Sequence, residues 1–365
     1  MAKKKFSAGL TLVACILALA IGFIAAFAVY TYIKRPTGGD VYVSGDLSIH
    51  FMELGNAFAG DSIYIKAGDT DILIDAGSRE SSTDTTSAYI DRFCTDGVLE
   101  YVIATHADRD HIAGFAGSSS SPSIFARYEC EVIIDFALTD KDTAVYRNYC
   151  EQRDAEVSAG AVHYTALQCW NETDGAKRVW EVADGIEMEI LYNYFYENRS
   201  SDENNYSVCL MFNQGDQHFL FTGDLEQEGE EYLVQYNQLP EVALFKAGHH
   251  GSKTSSNDCL LSVIKPKIVC VCCCAGTDEY TDNKENQFPT QAMIDRVAPY
   301  TDKVYVTSQV DESAESGYRS MNGNIVVTSG RDGVTVECSE NNTLLKDTAW
   351  FKANRTMPDA WATAA

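Results

Sequence analysis

The residues best equipped for chemistry crowd into one short stretch. The chain has seven histidines in 365 residues, and two of them, His106 and His111, fall within six positions that also hold Asp108 and Asp110. Imidazole and carboxylate together are the donor set that divalent ions of intermediate hardness accept. The stretch follows the apolar run Tyr101-Val102-Ile103, so these side chains are expected on a loop at the end of a buried strand. Two more apolar runs end in the same residue types: Phe219-Leu-Phe-Thr-Gly-Asp224 and Leu244-Phe-Lys-Ala-Gly-His249-His250-Gly251. Asp224 is placed to bridge two cations, and His249 or His250 to complete the coordination. Alone, Asp224 reads as a turn residue. Carboxylate and imidazole at three strand ends read as a metal site.

The elements that must position these groups alternate along the chain. Strands are expected at 47–54, 62–67, 71–75, 101–104, 132–136, 180–192, 207–212, 218–221, 242–245, 267–272 and 304–306. Helices are expected at 86–93, 143–156, 227–236 and 289–297. This order fits two sheets packed together with helices outside. After Asn341 no pattern is clear, and a loosely ordered tail over 339–365 is expected. His50, His163 and His218 stand alone in strand-like segments and read as structural.

Lys3-Lys4-Lys5 precede an uncharged, largely apolar run over residues 6–33, followed by a linker over 34–45. About 20 residues cross a bilayer, and this run is longer. It reads as an uncleaved single-pass anchor rather than a signal peptide. The lysines favour the N-terminus inside and the globular domain on the extracytoplasmic side. Leu12-Val13-Ala14-Cys15 is similar to a lipobox, but the apolar run continues beyond Cys15. A net charge of −25 excludes a broad basic surface for non-specific nucleic-acid binding, so a phosphate substrate needs a local device such as a metal. Of the twelve cysteines, four lie in the apolar run Ile268-Val-Cys-Val-Cys-Cys-Cys-Ala, where free thiols act as small hydrophobes. No disulfide framework is expected.

Several motifs occur in one order: Phe51-Met-Glu-Leu-Gly-Asn with Gly60-Asp61-Ser62; Ile72-Leu-Ile-Asp75-Ala-Gly77; Thr105-His-Ala-Asp-Arg-Asp-His-Ile-Ala-Gly114; Asn204-Asn205-Tyr206-Ser207; Leu220-Phe-Thr-Gly-Asp224-Leu-Glu226; and Lys246-Ala-Gly-His-His-Gly-Ser-Lys-Thr-Ser-Ser256. From about Phe51 to Cys338 the chain resembles the metallo-β-lactamase fold family, and within it the extracytoplasmic hydrolase domain of the DNA-uptake protein ComEC. The resemblance implies an α+β (αββα) sandwich of two mixed β-sheets flanked by helices over 46–338, here preceded by one transmembrane helix. Asp108 stands where many relatives have a second histidine. Phe288, before Pro289, stands where ComEC-like domains carry a further histidine, and the channel itself is absent.

The implied activity is that of a membrane-anchored, metal-dependent phosphodiesterase or nuclease. His106, Asp108, Asp110, His111, Asp224 and His249 or His250 would hold two divalent ions, Zn or Mn, that activate a water. Asp110, His249 and His250 are the expected catalytic groups. Asp108 in place of a histidine hardens the site toward Mn. Asp75 is expected behind the ligands, orienting a histidine. Asn205 and Ser207 are expected at the site's edge, and Ser252, Lys253, Thr254 and Ser255 either bind phosphate oxygens or form a polar loop with a helix cap at Ser255 or Ser256. The expected substrate is a phosphodiester, DNA among the candidates, and nothing identifies a protein partner. Alternatives are hydrolysis of another ester, such as a lactone or a phosphorylated cell-wall component, or a non-catalytic binding protein on the same fold.

Overall fold

Two antiparallel meanders, each continued by parallel strands, organise the chain. In a computed structural model that describes residues 47–330 and 333–362, the first meander is β1 (Leu47–Phe51), β2 (Ile63–Ala67) and β3 (Thr70–Ile74). Crossovers then add β4 (Val98–Ile103), β5 (Glu129–Asp135) and β6 (Val162–Thr165), each parallel to the strand before it. The second meander is β7 (Val179–Ala183), β8 (Ile186–Ile190), β9 (Leu210–Gln214) and β10 (Gln217–Phe221). It continues in parallel through β11 (Leu244–Lys246), β12 (Ile268–Ala275) and β13 (Val304–Val310), with β14 (Tyr318–Ser320) antiparallel at the edge. The hairpin β15 (Ile325–Gly330) and β16 (Gly333–Cys338) returns to pair with β1. Two eight-stranded mixed sheets result, β16-β15-β1-β2-β3-β4-β5-β6 and β14-β13-β12-β11-β10-β9-β8-β7.

Hydrophobicity explains the layering. β12 is buried along its whole length, as a parallel strand covered on both faces must be, and Cys270, Cys272, Cys273 and Cys274 lie in it. All eleven described cysteines are free thiols. Between the sheets, Phe51 and Phe221 stack at 6.3 Å. Four helices come from the first half: α1 (Ser82–Ile90), α2 (Arg109–Ala116), α3 (Ala144–Ala159) and α4 (Ala166–Asn171). The second half supplies α5 (Gln227–Tyr236), α6 (Asp258–Ile264), α7 (Gln291–Val297), α8 (Ala349–Asn354) and α9 (Asp359–Ala362). Leu233, Leu261, Ile294 and Phe351 of these helices join Leu220, Phe245 and Val271 in one buried cluster outside the second sheet.

Three local expectations change. The run 180–192 is a hairpin, β7 and β8, because Asp184-Gly185 turns the chain between Ala183 and Ile186. The stretch from His106 to His111 is a loop only to Asp108, after which α2 begins. Residues 339–362 are packed rather than loose: Leu345, Phe351 and Trp361 are buried, and the Trp361 indole donates to the Thr301 carbonyl at 2.8 Å. The expected membrane anchor, residues 6–33, lies outside the described residues. Among those described, no helix is long and apolar enough to cross a membrane.

The topology places the site. β3 and β10 are the points at which each meander gives way to parallel pairing, and β4 and β11 are their first parallel partners. Ligands of mixed sheets collect beyond the carboxyl ends of such strands. Asp75 follows β3, His106 to His111 follow β4, Asp224 follows β10, and His249 and His250 follow β11.

Candidate metal centre

Backbone bonds fix the loops before any side chain acts. The Asp75 amide donates to the Ile103 carbonyl at 2.8 Å and the Ala76 amide to that of His111 at 2.8 Å, locking the β3 and β4 ends together. The Val208 amide donates to the Thr105 carbonyl at 2.8 Å and so joins the two sheets. Gly223 has φ 54°, and a Cβ there would meet Ser207 Oγ at 2.7 Å, so glycine is required just before Asp224. Asp108 is the N-cap of α2, where an aspartate usually accepts from first-turn amides. It makes no such bond; its carboxylate pairs with Lys141 and sits 3.7 Å from His106 Nε2.

Three imidazoles share one arrangement. Their Nδ1 atoms are engaged from behind. That of His111 lies 2.7 Å from Asp75 Oδ2, that of His250 lies 3.0 Å from the Cys272 carbonyl, and that of His106 lies 3.2 Å from Thr105 Oγ1. Asp75 is itself held by the Thr105 amide and hydroxyl, each donating at 2.8 Å. The three Nε2 atoms are buried and none makes a well-directed hydrogen bond, although those of His111 and His250 have carboxylate oxygens at ion-pair distance. Asp224 Oδ2 lies 3.1 Å from that of His111 and 3.3 Å from that of His250, and Asp110 Oδ2 lies 3.2 Å from that of His250. Three imidazole nitrogens converging on carboxylates, each ring oriented through its other nitrogen, fit divalent ions.

The electrostatics match that reading. Burial, with His111 nearby, lowers His106 to about 4. Burial works the same way on His111 and His250, but Asp224, with Asp75 beside His111 and Asp61 beside His250, holds both well above the ordinary imidazole value. Asp61, Asp110 and Asp224 are held below the carboxylate range, their burial outweighed by the histidines and, for Asp61 and Asp224, by Lys246. The surrounding carboxylates thus favour positive charge at this point of the structure, which a proton or a metal ion can supply.

The structure sorts the expected residues. His106, Asp108, Asp110, His111, Asp224 and His250 converge, with Asp75 behind His111. His250 takes the inner position and is fully buried. His249 Nε2 is 3.9 Å from Asp224 Oδ2, and the residue lines the mouth of the site. Ser207 sits behind the cluster, accepting from the Asp224 amide at 3.0 Å. Asn205 braces the neighbouring loop, donating to Ser200 Oγ at 3.1 Å and accepting from the Glu226 amide at 3.3 Å, while Asn204 lines the mouth. Ser252 and Thr254 form a hydroxyl chain to His249 Nδ1, at 3.0 and 3.1 Å. Lys253 points away, donating to Asn286 Oδ1 at 3.0 Å, and the N-cap of α6 is Asn257 rather than Ser255 or Ser256. Asp61 and Lys246 were not singled out in the sequence as site residues, yet both are buried in the cluster and paired with each other, and Lys246 Nζ is 3.4 Å from Asp224 Oδ1. A cavity of about 570 Å³ opens onto the cluster, lined by Arg79, Arg109 and Lys141 as well as Asp108, Glu279 and Tyr280.

A family model described as the metallo-beta-lactamase superfamily matches residues 55–122 and 202–275, which contain every side chain of the cluster. Over these two segments the chain is similar to the metallo-beta-lactamase superfamily. Curated proteins similar to this chain include Recombination protein 2 of Haemophilus influenzae, 26% identical over 225 residues, covering 62% of this chain and 22% of that protein. ComE operon protein 3 of Bacillus subtilis is 24% identical over 214 residues, covering 58% of this chain and 24% of that protein. Competence protein ComA of Neisseria gonorrhoeae is 26% identical over 255 residues, covering 69% of this chain and 30% of that protein. The chain therefore spans less than a third of the length of these relatives. Among solved structures, the metallo-beta-lactamase fold protein YhfI from Bacillus subtilis aligns over 78% of this chain and 99% of its own, at 13% identity and a TM-score of 0.43.

Proposed function

We propose that this protein is a dinuclear metal-dependent phosphodiesterase or nuclease, held at the membrane by residues 6–33 with its hydrolase domain on the extracytoplasmic side. The observation that carries the reading is the set of three buried imidazole nitrogens, none with a well-directed hydrogen bond, facing Asp110 and Asp224 across the junction of the two sheets. In this reading His106 and Asp108 would hold one ion, Asp110, His111 and His250 the other, and Asp224 would serve both. When bound, Zn or Mn supplies Lewis acidity that activates water and neutralises charge on phosphoryl oxygens.

The chain's own groups do the rest. Asp75, the Cys272 carbonyl and Thr105 orient the imidazoles, while Lys246 engages Asp224 Oδ1 and leaves Oδ2 facing the centre. Arg79, Arg109 and Lys141 stand at the mouth, where an anionic substrate must enter a strongly acidic protein. His249, at the mouth and backed by Thr254, is placed to contact the substrate rather than an ion. The relatives' printed names, which speak of recombination and competence, agree with DNA as a candidate substrate.

The test is hydrolysis of bis(p-nitrophenyl) phosphate and of single-stranded DNA by a fragment from Gly38 onward, with Mn or Zn, beside Asp110→Ala. Diester cleavage lost in the variant supports the reading. Bound metal without diester cleavage moves the assignment to another ester.

A further inference from the structure

The segment between β12 and α7, residues 276–290, crosses the mouth of the metal cluster, and it is tied down independently of any contact with the ligands. Glu279 pairs with Arg79 at 2.5 Å and accepts from the Ala59 amide at 3.0 Å. Arg355 donates to the Gln287 carbonyl at 2.6 Å, and the Gly276 amide donates to the Phe288 carbonyl at 2.9 Å. The Phe288 ring stands 5.7 Å from that of His249 and 6.0 Å from that of His250. Tyr280 rides on this framework. Its ring lies 5.7 Å from Phe288 and the residue is 53% exposed, yet its hydroxyl reaches inward and donates to Asp110 Oδ2 at 2.6 Å.

That bond does not hold the segment in place, because the Glu279 and Arg355 ties already do so. It sets a neutral O–H beside the oxygen of Asp110 that faces His250, inside the cavity where a substrate must sit. The hydroxyl hydrogen turns freely about its C–O bond, so the donor is available to another acceptor once Asp110 serves an ion.

We infer that Tyr280 is a catalytic hydrogen-bond donor whose hydroxyl, resting on Asp110 in the free protein, donates to a phosphoryl oxygen of the bound diester, with Glu279 and Phe288 positioning it. Tyr280 keeps its proton throughout and forms no covalent bond; it stabilises negative charge that grows on the phosphoryl oxygen as the attacking oxygen bonds and the leaving oxygen departs. The inference rests on the phosphodiesterase reading above.

The test compares full-length protein with Tyr280→Phe and Tyr280→Ala, each loaded with Mn. Metal content, kcat and KM for bis(p-nitrophenyl) phosphate, and the Kd of inorganic phosphate and of orthovanadate, a five-coordinate mimic, are measured. Loss of one preorganised donor costs about a hundredfold or more in kcat. Tyr280→Phe is expected to show that loss with KM and metal content unchanged, and to weaken vanadate much more than phosphate. Three results overturn the inference: Tyr280→Phe active while Tyr280→Ala is not, which makes the ring a wall; loss of metal in Tyr280→Phe, which makes the hydroxyl a brace for Asp110; or an unchanged vanadate Kd. If the native protein cleaves no diester, the phosphodiesterase reading fails by itself, and the vanadate comparison still decides the role of Tyr280.

Discussion

Two Asp and His clusters, each built on a buried carboxylate, lie at the ends of adjacent strands of the first sheet. At the end of β5, Asp135 accepts from the Tyr149 hydroxyl at 2.9 Å and from Arg153 at 2.9 Å through Oδ2, and its Oδ1 lies 2.8 Å from His163 Nε2. Beyond the end of β4, the imidazoles of His106 and His111, with His250 from the other sheet, keep an Nε2 without a well-directed hydrogen bond. Hydrogen bonding separates the two clusters: Asp135 is closed by Tyr149, Arg153 and His163, whereas the other cluster keeps imidazole nitrogens without well-directed partners.

Substitutions at matching positions should therefore fail in different ways. Asp224→Ala is expected to lower hydrolysis by at least about a thousandfold with loss of bound metal, since both proposed ion sites share that carboxylate. Asp135→Ala should keep metal and kcat but leave Arg153 and Tyr149 without their buried acceptor, lowering the unfolding free energy by about 3–5 kcal/mol in urea titration. Equal loss of metal in the two variants would erase the distinction.

Glu230 gives a pH-dependent version of the closed cluster. It accepts from the Ser256 and Asn257 amides at 2.6 and 2.9 Å, but burial dominates and pushes it up to about 7 from its ordinary 4.5. A carboxyl raised in the folded state binds a proton there that the unfolded chain has released. Its contribution makes stability fall as pH rises from about 4.5 to 7 and stay level above that. At about 1.4 kcal/mol per pH unit over about 2.5 units, the contribution is on the order of 3–4 kcal/mol. Denaturation at pH 5, 6 and 7.5 should show this slope in the native protein minus Glu230→Gln difference; a difference independent of pH would refute it. The smallest effect is expected at His249. His249→Ala should retain metal and lose about tenfold in kcat/KM, whereas His250→Ala should lose metal outright.

The sequence made the contiguous part of the centre legible. His106 to His111 stand out because scarce residues cluster behind an apolar run, and Asp224 and the His249-His250 pair repeat that context. It could not rank the paired histidines, because the inner place of His250 depends on positive φ at both, 48° and 53°, which has no signature in histidine itself. Asp61 appeared only in the motif Gly60-Asp61-Ser62 and Lys246 only just after the strand expected at 242–245; their pairing spans 185 positions and exists only once the sheets face each other. Tyr280 sits in a segment without periodicity. Trp350, Phe351 and Trp361 follow no single helical repeat because two short helices divide them, so the packing of the C-terminal residues was invisible.

The central claim is that the open cluster binds metal, and the most direct measurement is metal stoichiometry. Full-length protein purified without chelator and equilibrated with Mn or Zn should hold about two equivalents per chain, falling to one or none in His111→Ala with the fold intact. Absence of stoichiometric metal in the native protein, with the same thermal transition before and after metal addition, would contradict the account.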